Sequence, residues 1–368
     1  MYTPFRHINS IFLKTRPIHL TFFITRRCNS RCPFCFYLKN TPKIPTLARG
    51  GGGGVNELSL DEIQKVSKSL GSLLWLAFSG GEIYLREDLV EISKVFYKNN
   101  KPAIMLYPTN GLLPELIRGR TEEILRHCKK SVIVVKLSID GLNEEHDRLR
   151  NTPGSFDKTM QTYNLLSNFL EKYPNFELGV NTVFCSENQD SMERIIDFVS
   201  GLKNIKTHTI SLIRGSLEDE SYKKIDYKKY LHAIKRLEEN LKNKTSATYR
   251  FRGARIKAAQ DILQRSLIHR TLLEQKRLNP CYAGRLNLVL TESGDVYPCE
   301  ILTERLGNVK DYDYDIKKIL RTDNAKKILA SIQDNKCFCT HECYFMTNIL
   351  FNPKLYPALA REYLQLKS

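Results

Sequence analysis

A chain of 368 residues, 42% of them hydrophobic, is long enough to bury a large domain core and carry a smaller appendage. A net charge of +17 and a pI near 9.3 favour anionic partners, whether nucleotides, phosphorylated metabolites, nucleic acid or a membrane surface, without choosing among them. No apolar run approaches the roughly 18 residues of a membrane span and no signal-peptide core is present, so the chain reads as cytoplasmic and its ten cysteines not as a disulfide framework; eight of them fall in two clusters, which points to metal ligation.

Residues 1–18 mix apolar side chains with Arg6, Lys14 and Arg16; they touch a membrane surface or cover the floor of the following domain, the second being preferred. Leu20-Thr21-Phe22-Phe23-Ile24 predicts a buried strand, and the loop leaving it carries Cys28, Cys32 and Cys35 at the spacing C-x3-C-x2-C. Pro42 to Pro45 and the glycines Gly50 to Gly54 predict a flexible connector. Ser59-Leu60-Asp61-Glu62 is a capping box ahead of the apolar positions Ile63, Val66 and Leu70.

Strand and helix then alternate. Strands are expected near 19–24, 73–78, 103–107, 132–139, 177–184 and 208–213, and helices near 59–70, 87–99, 121–128, 156–171, 190–200 and 226–242. Six strand–helix units predict an α/β fold, a partial (β/α)6 TIM-like barrel over 19–245. A helical linker (246–279), a small cysteine-rich module of β-hairpin plus helix (280–345) and a tail (346–368) complete the expected organisation.

A barrel of this kind presents ligands at the C-terminal ends of its strands. Those positions hold Gly80, Gly81 and Glu82, then Asn110, Ser138 and Asp140, Asn181 and Arg214. The glycines let backbone approach a ligand closely, and a carboxylate beside them accepts hydrogen bonds from an ammonium group. Taken singly each has a plain alternative: Gly-Gly-Glu occurs in ordinary turns, Asp140-Gly141 is a good turn pair, His146 reads as a solvated helix residue, and Arg214 as a structural cation. The basic residues between Lys223 and Lys257 read as a solvated face, and no RNA-binding signature accompanies them.

In the C-terminal module, Cys281 and Cys299 flank a predicted hairpin that turns at Glu292-Ser293-Gly294-Asp295, with the spacing C-x12-G-x4-C. After 37 residues containing a helix predicted over 314–332 come Cys337, Cys339 and Cys343. Cys337 and Cys339, two residues apart, are read as pointing in opposite directions and are not expected to ligate together. The favoured set is Cys281, Cys299, Cys339 and Cys343, with Cys337 the rival for the third place; a structural zinc site is the alternative. Cys128 and Cys185 read as buried, unreactive thiols.

The stretch from Cys28 to Cys35, with the aromatic Phe34 before the third cysteine, resembles the signature of the radical S-adenosylmethionine (SAM) superfamily. The resemblance implies a 4Fe-4S cluster held by three cysteines, its fourth iron binding SAM. It carries contact with the methionyl amino group to Gly80, Gly81 and Glu82, places Ser138 and Asp140 near the ribose and substrate, and makes Asn181 and Arg214 SAM contacts; Ile83 departs from the proline often found there. The C-terminal spacing is similar to SPASM and twitch domains, with cysteines enough for one auxiliary 4Fe-4S cluster.

By that resemblance a flavodoxin or ferredoxin delivers an electron, SAM is cleaved to a 5'-deoxyadenosyl radical, and hydrogen is taken from an unactivated C–H bond. The expected substrate is an anionic, non-peptide lipid, nucleotide or sugar phosphate, because of the charge, the single auxiliary cluster, and the lack of room for a leader-binding domain before Cys28. The rival readings are a peptide or protein maturase and, from another class, an iron–sulfur electron carrier or zinc-binding protein.

Overall fold

The computed structural model describes residues 2–38, 56–243, 249–251, 253–334 and 337–367; the predicted connector at Gly50 to Gly54 lies outside the described residues. Six parallel strands, β1 (His19–Thr25), β2 (Trp75–Gly80), β3 (Ile104–Thr109), β4 (Val132–Ser138), β5 (Phe176–Phe184) and β6 (Thr207–Leu212), curl into the partial barrel. Every residue of β1 is buried, as a strand covered on both faces must be. On its other edge β1 pairs in parallel with β7 (Asn287–Leu290), which continues antiparallel into β8 (Asp295–Tyr297) and β9 (Gly307–Asn308). The hairpin of the cysteine-rich module therefore extends the barrel's own sheet, in the order β6-β5-β4-β3-β2-β1-β7-β8-β9.

The covering helices are α1 (Leu60–Ser69), α2 (Leu89–Asn100), α3 (Pro114–His127), α4 (Glu144–Leu149), α5 (Ser155–Ser167), α6 (Phe169–Lys172), α7 (Met192–Gly201) and α8 (Tyr227–Asn243). They are followed by α9 (Ala254–Glu274), α10 (Ile316–Arg321), α11 (Asp323–Asp334), α12 (Glu342–Leu350) and α13 (Tyr356–Gln365). The capping box of α1 forms in both directions, Ser59 Oγ accepting from Glu62 N and Glu62 accepting from Ser59 N. Helix α3 starts seven residues earlier than its predicted 121, because Pro114 in the first turn presets the helical φ. The predicted helix 314–332 breaks at Thr322, whose hydroxyl caps α11 by accepting from Ala325 N.

The core lies between strands and helices. Phe22, Phe78 and Phe96 meet edge-on at 6.0 and 6.4 Å between β1, β2 and α2, each contributing about 1.5–3 kcal/mol by burial. At the N-terminus Pro4–Ile11 forms a 3-10 helix held by Tyr2 N to Lys130 O and Arg6 to Lys101 O, with His7 buried beneath it. Phe5, Ile8, Phe12 and Leu13 face solvent there. Among the described residues, no helix is long and apolar enough to cross a membrane.

Candidate functional site

The N-terminal cysteine loop is fixed from below by β2. Beyond the strand pairing, Gly81 N donates to Thr25 O (2.7 Å) and Glu82 N to Arg27 O (2.8 Å). A Cβ on Gly81 would collide with the Arg27 carbonyl, and one on Gly80, whose φ is +128°, with the Thr25 carbonyl. The close approach that requires glycine here is thus to the chain's own cysteine loop. The buried Glu82 carboxylate accepts from Asn110 N (2.8 Å), Thr109 Oγ1 (2.9 Å) and Tyr84 N (3.2 Å), tying the ends of β2 and β3 together. Burial pushes its pKa up to about 7 against these bonds.

The three thiols sit on this braced loop, half-buried. Ser30 Oγ lies 3.2 Å from Cys32 Sγ, and Asn110 Nδ2 lies 3.9 Å from Cys28 Sγ and 2.7 Å from Asn29 Oδ1. Burial pushes Cys28 up to about 12, with Glu82, Cys32 and Cys35 adding to the shift; burial also raises Cys35. Arg150 is buried beside them, and although burial opposes its charge, Cys32 and Asp140 hold it protonated. Three neighbouring sulfurs on one braced loop, with one fixed guanidinium alongside, suit a multi-iron centre whose positive charge would stabilise their thiolates. Among the described residues no three His, Cys, Asp or Glu side chains are gathered to hold a single metal ion. Ligands of a cube stand wider apart than those of one ion.

The strand-end candidates separate into two groups. Phe34, Asn181 and Arg214 line a cavity of about 310 Å³ inside the barrel, together with Ser79, Ser211 and Pro108. Ser138 lies beside Asn181 in register, but Gly80, Gly81, Glu82, Asn110, Ser138 and Asp140 are not among the residues of that wall. Asp140 is fully engaged, Oδ2 with Arg150 Nε (2.9 Å) and Oδ1 with Val183 N (2.7 Å). His146, expected in solvent, is buried, and its Nδ1 accepts from Asp140 N (3.1 Å).

In the C-terminal module burial and mutual proximity push Cys339 up to about 12, with Cys281, Cys299 and Cys337 as its sulfur neighbours. Burial pushes Cys299 up to about 11, with Cys281 and Cys337 adding to it, and Leu302 N points at its sulfur from 3.3 Å. The structure therefore brings Cys281, Cys299, Cys337 and Cys339 together. The expectation that Cys337 and Cys339 point apart does not hold, because residues i and i+2 of an extended chain share a face, and residues 337–341 belong to no strand. Cys343 lies in the first turn of α12, beside Arg214 and in the cavity wall, and shares the neighbour Tyr344 with Cys299 and Cys339.

Arg214 is committed to this module. Its Nη2 lies 3.4 Å from Glu300 and its Nη1 3.4 Å from Glu342, while the guanidinium stacks 5.4 Å over Phe36. Arg214 thus has two carboxylate partners as well as a place in the cavity wall. His341 Nε2 stands 2.8 Å from the same Glu300 oxygen. Burial alone would raise Glu300, yet His341 and Arg214 hold it down at about 2. Sequence reasoning named His341 only as a ligand in the zinc alternative and missed Glu300 and Glu342; the available signal was that these two acids directly follow Cys299 and precede Cys343.

The model of the Radical SAM superfamily matches residues 22–199, and that of the SPASM iron–sulfur cluster-binding domain matches 281–344. The chain is 26% identical over 314 residues to the AdoMet-dependent heme synthase of Methanosarcina barkeri, covering 83% of this chain and 82% of that one. It is 27% identical to the antilisterial bacteriocin subtilosin biosynthesis protein AlbA of Bacillus subtilis, over 81% of this chain but only 59% of AlbA. Among solved structures, native anSMEcpe with bound AdoMet superposes with a TM-score of 0.60 at 19% identity, covering 95% of this chain and all of that one. Streptococcus suis SuiB bound to S-adenosylmethionine gives 0.57 at 13% identity, covering 85% of this chain and 68% of SuiB; these two likenesses concern the fold.

Proposed function

Because the chain belongs to the radical SAM superfamily and carries a C-terminal SPASM iron–sulfur domain, we propose that it removes a hydrogen atom from an unactivated C–H bond of an anionic small molecule. In this reading Cys28, Cys32 and Cys35 hold the SAM-binding 4Fe-4S cluster, and Cys281, Cys299, Cys337 and Cys339 hold the auxiliary one. When bound, these groups supply an electron from a flavodoxin or ferredoxin-type donor, the 5'-deoxyadenosyl radical, and a sink or anchor for the substrate.

The observation that carries the reading is a single cavity walled from both cysteine regions: Phe34 and Phe36 come from the first, and Glu300, His341 and Cys343 from the second. The chain's own contribution is to hold and to exclude. Glu82 and the two glycines before it set the height of the cysteine loop, and Arg150 keeps a positive charge beside its thiols. Phe34, Phe36, Trp75 and Phe78 keep the wall apolar, so that water is displaced from the reacting carbon. The Arg214 pairs fix the cysteine module at the mouth of the barrel.

A maturase acting on a peptide is the second reading, favoured by the likeness to AlbA. The largely apolar cavity, whose wall carries Lys136, Arg214 and Lys257 beside Asp261, Glu300 and Glu342, supports the small molecule. The test is anaerobic reconstitution followed by dithionite reduction with SAM. 5'-Deoxyadenosine is expected, and Cys32→Ala should abolish it. No iron at the N-terminal trio, or no 5'-deoxyadenosine from the wild type, overturns the proposal. Stimulation by a peptide fraction of a cell extract and not by its small-molecule fraction moves the assignment to the second reading.

A further inference from the structure

The reading above leaves an ammonium group in the barrel without a task. Lys136 stands on β4, two residues before the strand ends, and is 9% exposed. Its Nζ crosses β5 to reach β6, donating to Thr207 Oγ1 and to Thr209 Oγ1 (3.1 Å). Gly179 of β5 permits the crossing, since a Cβ there would stand 2.8 Å from the Lys136 nitrogen and collide with the Thr207 hydroxyl. Three strands are thus shaped to place one charge inside the barrel.

That charge has only neutral hydrogen-bond partners. Among the described residues no carboxylate lies within ion-pair distance of it; Asp261, the acid that most favours its charge, is bonded to Lys257 and accepts from Tyr249 Oη (3.2 Å). Lys257 and Arg265 on α9 oppose the charge, Glu177 on β5 favours it, and burial outweighs all of them, bringing the pKa down to about 7. A buried ammonium without a counter-ion costs several kcal/mol unless something else is served. An ammonium has three donors; the threonines take two, and Lys136 lines the cavity that also holds Trp75, Leu106, Val134 and Phe251. In the same wall the indole N–H of Trp75 is buried and has no hydrogen-bond partner among the described residues.

Resting on the reading of this cavity as the substrate site, we infer that Lys136 binds a carboxylate of the substrate, whose apolar body lies along the aromatic wall. One remaining donor suits a monoanionic carboxylate better than a phosphate dianion, whose three terminal oxygens would ask for more donors than Lys136 has left. Bringing a carboxylate to Lys136 supplies the missing counter-ion, so binding is coupled to keeping that proton in place.

The experiment uses the anaerobically reconstituted holoenzyme with SAM and three probes: 3-phenylpropionate, its neutral amide 3-phenylpropanamide, and phenyl phosphate. Binding is followed by equilibrium dialysis and by the fluorescence of Trp75, the single tryptophan of the chain. The carboxylate should bind about tenfold more tightly than the amide, the advantage of a charge-assisted hydrogen bond. Lys136→Met, close in volume, should erase that preference. In the unmodified protein the preference should also shrink above neutral pH, a readout that does not depend on a variant folding. Equal binding of carboxylate and amide, no carboxylate binding at millimolar concentrations, a preference surviving in Lys136→Met, or tighter binding of phenyl phosphate each overturns the assignment. 5'-Deoxyadenosine formation by the same wild-type preparation separates the two ideas: carboxylate preference without SAM cleavage sinks the enzymatic reading alone, and cleavage without the preference sinks the Lys136 site alone.

Discussion

Tyr37, two residues beyond Cys35, donates its hydroxyl to the carboxylate of Glu292 in the turn between β7 and β8. Arg26 lies 3.7 Å from the same buried carboxylate, so the loop carrying the first cysteine trio is fastened at both ends to the C-terminal hairpin. Tyr37→Phe removes one of those fastenings and leaves a buried acceptor short of a donor, a cost of about 1–3 kcal/mol. The expected outcome is faster loss of iron from the reconstituted protein to a chelator, with the parent's helix content by circular dichroism. An unchanged rate would mean that Tyr37 does not hold the loop.

The glycines before Glu82 make a sharper prediction. Gly81→Ala forces a methyl into the Arg27 carbonyl, and relief requires the cysteine loop to move away from β2. Gly71→Ala is the control, because nothing lies within 4 Å of its Cβ position. Gly81→Ala should lower stability by an amount on the order of 2–4 kcal/mol and deplete iron, whereas Gly71→Ala should stay within about 0.5 kcal/mol of the parent. Iron content and urea midpoints measured side by side decide it.

The barrel was legible because a parallel sheet buried on both faces writes itself as apolar runs such as Leu20–Ile24, and because Ser59 and Glu62 sit at the spacing a cap demands. The cysteine trio was legible for the same reason of local spacing. Arg214 was not: its partners Glu300 and Glu342 lie 86 and 128 residues along the chain, and nothing local distinguishes an arginine awaiting a ligand from one awaiting two carboxylates. The glycines of Gly80-Gly81-Glu82 pointed to a close approach but could not say to what, since the Thr25 and Arg27 carbonyls come from another strand's end. The length of α9 was hidden by a sequence with little contrast between its faces, its burial being set by packing against α8, α12 and α13.

In the C-terminal module Cys337 stands near Cys281, Cys299 and Cys339, and Cys343 near Arg214 and Tyr344. If Cys281, Cys299, Cys337 and Cys339 hold the auxiliary cluster, Cys337→Ser should cost about four irons per chain, the content of one cube. Cys343→Ser should retain them, because that thiol lies toward Arg214. Iron and sulfide analysis of both variants after identical anaerobic reconstitution checks the assignment, and the reverse pattern would return Cys343 to the ligand set.

Removing the guanidinium that joins β6 to the cysteine module should be costly. In Arg214→Met the Glu300 and Glu342 carboxylates lose their shared cation while remaining largely out of water, and breaking a buried pair from one side costs about 3–5 kcal/mol. Arg214→Lys should recover only part of this, since a single ammonium cannot reproduce a fork that reaches two carboxylates. Replacing all three, Arg214→Met with Glu300→Gln and Glu342→Gln, should be milder than Arg214→Met alone. A triple variant as unstable as the single one would show that packing over Phe36, and not charge, is what Arg214 supplies.

Lys136 gives stability a defined dependence on pH. Its pKa in the folded protein is brought down to about 7, against an ordinary 10.5, by burial that the Asp261 charge only partly offsets. Below about pH 7 both folded and unfolded chains hold the proton, and the folded state bears the full cost of a buried charge. Between about 7 and 10.5 the unfolded chain still holds the proton while the folded chain has released it, so the unfolded state binds more protons and stability rises with pH. Above that window neither state is charged at this position. Lys136→Met, which has no proton to lose, should therefore be more stable than the wild type at pH 6, with the gap closing by up to about 1.4 kcal/mol per pH unit through the window. Urea denaturation of both proteins under anaerobic conditions from pH 6 to pH 9 reads the gap directly. A constant gap would mean that the ammonium stays charged in the folded barrel, and that the two threonines and Asp261 stabilise it more than its burial implies.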